Sequence, residues 1–278
     1  MKSTRLLRRS WIVLSMSIVT LSLFPLAYTQ NNSFEPQHGQ EGKDVIWVPT
    51  PQELVDEMLE LAKVTKDDYL MDLGSGDGRL VITAAKIGAN AIGIEYNEDM
   101  VEPSKRNAEK EGVSDKASFV KADLFESDFS KATVITLFLM TDLNLKLRPK
   151  LLDLKPGTRI VSNTFKMGDW EADETVDIGG NCYSWCYALL WIVPAKVKGK
   201  WKTQEGELIL DQNYQIVSGS LKNGDNSNEI TNGRLNGDQI TFNVNDSKYT
   251  GAVSENTING TFATGKNIRK WSAKLADK

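Results

Sequence analysis

Two acids frame three glycines in Asp72-Leu73-Gly74-Ser75-Gly76-Asp77-Gly78-Arg79. The glycines fall at alternate positions, and Arg79 stands where a dinucleotide-binding loop, G-x-G-x-x-G, has its last glycine. No Gly-Lys-Ser/Thr ending marks a phosphate loop. Asp72 and Asp77 repel a pyrophosphate and attract a ligand that carries positive charge. Two further acids close later segments: Glu95 ends AIGIE and Asp123 ends SFVKAD.

Any one of these acids alone reads as a solvated loop carboxylate. Together with the glycines they describe a site for a cationic nucleoside. S-adenosylmethionine has an ammonium, a sulfonium and a carboxylate that suits backbone N–H groups at a helix start. On this reading Gly74 permits a sharp turn, Gly76 lets the ligand approach the backbone, and Gly78 brings helix and strand close. Asp72, Ser75 and Asp77 complete the loop. Glu95 is placed to accept the ribose hydroxyls, and Asp123 with the backbone of Leu124 to meet the adenine edge.

These residues need a scaffold that delivers them to one edge. Tyr69–Leu73, Ala91–Glu95, Ser118–Lys121, Val134–Leu139 and Arg159–Asn163 read as strands. Helices are predicted over Arg79–Ile87, Glu98–Glu111 and Asp142–Leu152. Alternation of this kind means a parallel α/β sheet, with ligands bound at the carboxyl ends of the strands. An earlier helix is read within VPTPQELVDEMLELAKV, with Thr50 as N-cap, Pro51 at the first helical position and Glu53 completing a capping box. Glu174–Ile178 and Tyr183–Val193, joined at Gly179-Gly180, read as a closing hairpin.

From about residue 195 the chain becomes rich in Gly, Asn, Thr and Asp. Short strands such as Glu207–Leu210, Gln239–Val244 and Asn259–Ala263 recur with turn residues between them, and GSL, GRL, GAV and GTF repeat at Gly219, Gly233, Gly251 and Gly260. This is the pattern of an antiparallel meander or small barrel, without a catalytic constellation.

The net charge is −4, and Lys2, Arg5, Arg8 and Arg9 with no acid before residue 30 make the remainder more acidic still. That balance argues against a nucleic-acid partner. The basic start and the apolar run to about Leu26 predict a signal peptide or N-terminal anchor over 1–29, hence an exported or membrane-anchored location and a membrane association through that segment. Residues 30–45 read as a polar linker, 46–194 as the α/β domain and 195–278 as a β-rich accessory domain. With His38 the only histidine, no Ser-His-Asp constellation and no metal site is expected. Cys182 and Cys186 lie four apart; in a strand they would be ~13 Å apart, too far for a disulfide, so they are expected as small buried hydrophobes.

The glycine loop, Val48-Pro49-Thr50-Pro51 and LFLMTDLNLKLRPKLLDLKPGTRIVSNTF together resemble the class I S-adenosylmethionine-dependent methyltransferases, a Rossmann-like seven-stranded fold. More narrowly they resemble the protein-lysine methyltransferases that act on the c-subunit of ATP synthase and on the adenine nucleotide translocator, with their bacterial relatives. The resemblance implies S-adenosylmethionine as cofactor and a protein lysine as acceptor, with Thr141, Asp142 and Asn144 bordering the substrate. Asp142 and Asn144 are the candidate catalytic residues. The D/N-P-P-Y signature of many amino-methylating enzymes is absent; Leu139-Met140-Thr141-Asp142 stands there.

A lysine nucleophile must be neutral when it attacks, and burial beside Phe138 and Met140 lowers its pKa. Asp142 is placed either to hold the arriving ammonium or to cap its helix. The other readings are a small-molecule methyltransferase and an exported nucleoside-binding protein of this fold without turnover.

Overall fold

The computed structural model describes residues 34–180, 182 and 184–276. The predicted leader lies outside the described residues. Among those residues no helix is long and apolar enough to cross a membrane.

Seven strands form one sheet: β1 (Tyr69–Leu73), β2 (Asn90–Glu95), β3 (Ala117–Lys121), β4 (Val134–Leu137), β5 (Arg159–Asn163), β6 (Glu174–Asp177) and β7 (Tyr187–Ile192). Their order is β3-β2-β1-β4-β5-β7-β6. The first five pair in parallel, and β7 runs antiparallel to both β5 and β6. Helices α1 (Gln52–Leu61), α2 (Arg79–Ile87), α3 (Glu98–Lys110) and α4 (Thr141–Leu152) cover the faces. Layers on both faces explain why β4, VITL, is buried at every position. One core gathers Leu54, Val55 and Met58 of α1 with the apolar side of α2, and the other gathers Leu143, Leu147 and Leu151 of α4 with Trp170 and Trp191. The chain winds outward from β1 in both directions, so the carboxyl ends of β1 and β4 flank a topological switch point.

Three local expectations fail. Thr50 does not cap α1; Pro51 is the N-cap, and Thr50 is buried, its hydroxyl accepting from Asn163 Nδ2 (3.3 Å). Asp142 does not cap α4, whose N-cap is Met140. Strand β7 begins at Tyr187, not at residue 183, so the two cysteines lie in the turn before it. There their Cα atoms are 5.8 Å apart and Cys182 and Cys186 form a disulfide. The exclusion assumed strand geometry, which a turn does not have.

The predicted meander is a closed barrel of eight antiparallel strands, from β8 (Gly199–Thr203) and β9 (Glu207–Asn213) to β14 (Thr257–Thr264) and β15 (Asn267–Leu275). Each strand pairs with the next, and β15 returns to β8. Trp201, Phe242, Tyr249 and Trp271 fill its interior. It is fastened to the α/β domain at specific places. Arg234 pairs with Asp173 (2.6 Å), Gln215 Nε2 donates to the Glu171 carbonyl (2.8 Å), and Tyr214 stacks on Trp170 with ring centres 5.8 Å apart.

Candidate active site

The glycine loop leaves β1 and enters α2 through three left-handed glycines, Gly74, Gly76 and Gly78. Its path is pinned to β2, because the Gly74 and Ser75 amides both donate to the Ile94 carbonyl (2.8 and 3.1 Å). A Cβ on Gly78 would lie 2.6 Å from Phe119 Cε1, which is the close helix–strand approach expected there.

Beside the loop opens a cavity of about 280 Å³. Asp72, Gly74, Ser75, Gly76, Asp77, Glu95, Leu124, Phe138 and Met140, all expected at the site, line it. Asp72 is 4 % exposed, and its Oδ1 accepts from the Thr136 hydroxyl (2.7 Å). Burial, reinforced by the charges of Glu95 and Asp77, pushes its carboxyl up to about 7, against the pull of the Thr136 hydrogen bond. Glu95 is held at both oxygens: Oε2 accepts from the Gly76 N–H (3.0 Å) and Oε1 from the Asn97 N–H (2.9 Å).

Two loop features differ from expectation. Asp77 is not a free acid, because Arg79 grips its carboxylate through Nε (3.0 and 3.1 Å) and Nη2 (2.5 Å). The amides of Gly74, Ser75, Gly76 and Gly78 are all engaged within the protein. The Ser75 hydroxyl is buried without a hydrogen-bond partner and lies against β2, where a Cβ on Gly93 would be 2.5 Å from it.

The end of the expected linker, from Gln40, is part of the site together with the first residues of the expected α/β domain. Residues 40–50 run over the mouth of the cavity and line it. The strap closes on itself, with the Gly39 N–H donating to the Trp47 carbonyl (2.8 Å) and the Trp47 N–H to that of Gln40 (2.9 Å). Trp47 lies so close to the loop that a Cβ on Gly76 would be 2.3 Å from its Nε1. The backbone approach that Gly76 permits is thus made by the indole. Lys43 pairs with Asp123 Oδ2 (2.5 Å), and its ammonium sits 4.3 Å from the centre of the Tyr96 ring. The lysine holds the Asp123 carboxyl below the usual carboxylate range. The strap is hidden in the sequence because its partners are distant in the chain; the apolar run Val45-Ile46-Trp47-Val48 was its one signal.

On the other side of β1, the exits of β4 and β5 and the β6–β7 turn build an uncharged wall of Phe138, Leu139, Met140, Leu143, Phe165 and Trp185. The Phe138 ring packs against Phe165 (6.0 Å between centres) and edge-on against Trp185 (5.9 Å). The two candidate catalytic residues are not on it. Asp142 is exposed on the first turn of α4. Asn144 is fully buried and donates from Nδ2 to the Phe165 carbonyl (3.1 Å), so it fastens α4 to the exit of β5. Both stand on a helix whose first turn rotates them away from the cavity that Met140 and Leu143 reach. Thr141 is partly buried and does not line the cavity either.

A buried carboxylate at a strand end and a pinned acid on the next strand fit the ammonium and ribose of S-adenosylmethionine. Fold and crevice together define a class I methyltransferase. Residues 72–174 match the family described as the ANTKMT methyltransferase domain. A protein-lysine N-methyltransferase from Saccharolobus islandicus is 48% identical over 137 residues, covering 48% of this chain and 85% of the relative. The human lysine N-methyltransferase of the ATP synthase C-subunit is 32% identical over 134 residues, covering 48% of this chain and 57% of its own. A solved structure described as an RNA methyltransferase from Salinibacter ruber, in complex with S-adenosyl-L-homocysteine, is 49% identical with a TM-score of 0.51; the match covers 54% of this chain and 96% of that one. The chain belongs to this family of S-adenosylmethionine-dependent methyltransferases.

Proposed function

We propose that the enzyme methylates the ε-amino group of lysine in a protein. The observation that carries this reading is the change of character across the cavity. Acids line the β1–β2 side, and the β4–β5 side is aromatic and uncharged. When bound, S-adenosylmethionine supplies a methyl carbon already activated by its sulfonium. Asp72 holds the cofactor ammonium and Glu95 the ribose hydroxyls. The aromatic wall excludes water and accepts the apolar stem of a lysine. It disfavours the charged ammonium, so the acceptor enters reaction as the neutral amine, its proton lost to solvent at the mouth.

The Salinibacter ruber structure is described as an RNA methyltransferase, which raises RNA as an acceptor. The acidic chain speaks against it, as do the two cations on the cavity wall, Lys43 and Arg79, which are already paired with Asp123 and Asp77. The disulfide supports the exported or membrane-anchored location that the leader suggests, because such bonds persist in oxidising compartments.

Transfer of labelled methyl from S-adenosylmethionine to a membrane-protein fraction, followed by acid hydrolysis, tests the reading. Label in methylated lysine is expected, and Asp72→Asn abolishes it. Label in RNA, or only in small molecules, overturns it.

A further inference from the structure

We infer that the disulfide-closed turn fixes Trp185 as the outer wall of an acceptor slot, formed with Phe138 and Phe165, that holds one unbranched alkylamine and its methylated ammonium forms. The inference rests on the lysine reading and names a residue that sets specificity within it.

A tryptophan at the tip of a hairpin turn is unusual unless something holds it. Here the backbone of Trp185 is left-handed (φ 58°), a conformation that side chains other than glycine seldom adopt. The surroundings impose it. Cys182 and Cys186 are bonded across the turn, the Ile178 N–H donates to the Cys186 carbonyl (3.0 Å), and the Cys182 N–H donates to that of Gly179 (3.2 Å). Immediately after the turn, the Thr164 N–H donates to the Tyr187 carbonyl (2.8 Å). That bond ties the turn to the exit of β5, one residue before Phe165. Phe138, Phe165 and Trp185 are thereby brought together from three segments distant in the chain.

Trp185 remains 36% exposed although its ring packs on Phe138, so it has surface left for a partner. None of the residues on this wall carries a charge. A primary ammonium loses hydrogen-bond donors with each methyl group added, and water then holds it less well. Aromatic faces attract such a cation through their quadrupole, tryptophan most strongly. The slot therefore favours a methylated lysine over an unmethylated one, and it keeps a partly methylated product in place for the next transfer.

Titration calorimetry tests this with two capped pentapeptides, one with a central lysine and one with a central trimethyllysine, added to the full chain saturated with S-adenosylhomocysteine. The trimethyllysine peptide is expected to bind more tightly. Trp185→Ala is expected to weaken it roughly tenfold and to narrow the difference between the peptides, with S-adenosylhomocysteine affinity unchanged. Trp185→Phe retains most of the binding. Replacing both cysteines by serine weakens the trimethyllysine peptide in the same direction by a smaller factor. A Trp185→Ala chain that holds the peptide as tightly as the native one overturns the assignment, and so does a loss shared equally by S-adenosylhomocysteine. If the native chain binds S-adenosylhomocysteine and neither peptide, the lysine reading itself has failed and the slot falls with it.

Discussion

Asp72 on β1 and Thr136 on β4 face each other across the switch point, and the threonine hydroxyl donates to the aspartate at 2.7 Å. Among the described residues this is the one side-chain hydrogen bond that the buried carboxylate receives, and it does not offset the penalty of burial, which pushes the group up to about 7. The acid is held desolvated at the place where a cationic ligand compensates for the lost water.

Opposite effects on stability and binding follow from Asp72→Asn. A carboxyl raised in the folded state contributes stability that is present below its unfolded pKa and is lost as pH rises through about 7. Removing it stabilises the ligand-free protein at pH 8 by on the order of 2–4 kcal/mol, and the advantage shrinks toward pH 4. Denaturant melts at the two pH values check this, and calorimetry with S-adenosylhomocysteine should find binding lost.

The native chain should bind S-adenosylhomocysteine more weakly as pH falls below about 7, because the ligand ammonium meets a protonated Asp72. The decline approaches tenfold per pH unit at its steepest. Calorimetry at pH 7 in buffers of different ionisation enthalpy should register proton release on binding.

Gly78→Ala should destabilise the fold by roughly 2–4 kcal/mol. The position is left-handed (φ 81°), and the added carbon would lie 2.6 Å from the Phe119 ring and 3.0 Å from Ser104 Cβ. Chemical denaturation reads the loss; a variant as stable as the native chain would contradict the packing described.

Lys43→Ala should strengthen S-adenosylhomocysteine binding by about two- to fivefold at low salt, with the gain fading as salt rises. The Phe125 N–H occupies Asp123 Oδ1 (2.9 Å), so Lys43 covers the oxygen left for an adenine amino group. Titrations in low and high salt separate this from an effect on the strap as a whole.

Tyr214→Ala should loosen the barrel from the α/β domain at a cost of about 2–4 kcal/mol. The ring stacks on fully buried Trp170, lies under Arg148 and donates its hydroxyl to Asp169 (3.0 Å). Scanning calorimetry should then resolve two transitions in place of one.

The sheet was legible because a strand buried on both faces must be apolar throughout, as VITL is, and because only a βα turn has use for glycines at 74, 76 and 78. The acids at strand ends were legible for the same reason: strand ends converge. The strap was not, since an aperiodic segment gains its place from partners such as Asp123 that lie 80 residues away. Asn144 misled because an amide on a helix reads alike whether it faces a ligand or, as here, a neighbouring carbonyl. The cysteines misled because four residues span very different distances in a strand and in a turn, and the boundary between them fell at Tyr187 rather than residue 183.

The closed barrel has neighbours in sequence for every pairing but one, the seam where β15 meets β8. Trimming the chain from its far end at Asn267 would leave two raw borders, on β8 and β14, for a single strand removed. Such a module resists gradual shortening: it is kept whole, or it turns into a sticky ribbon beside an otherwise intact enzyme.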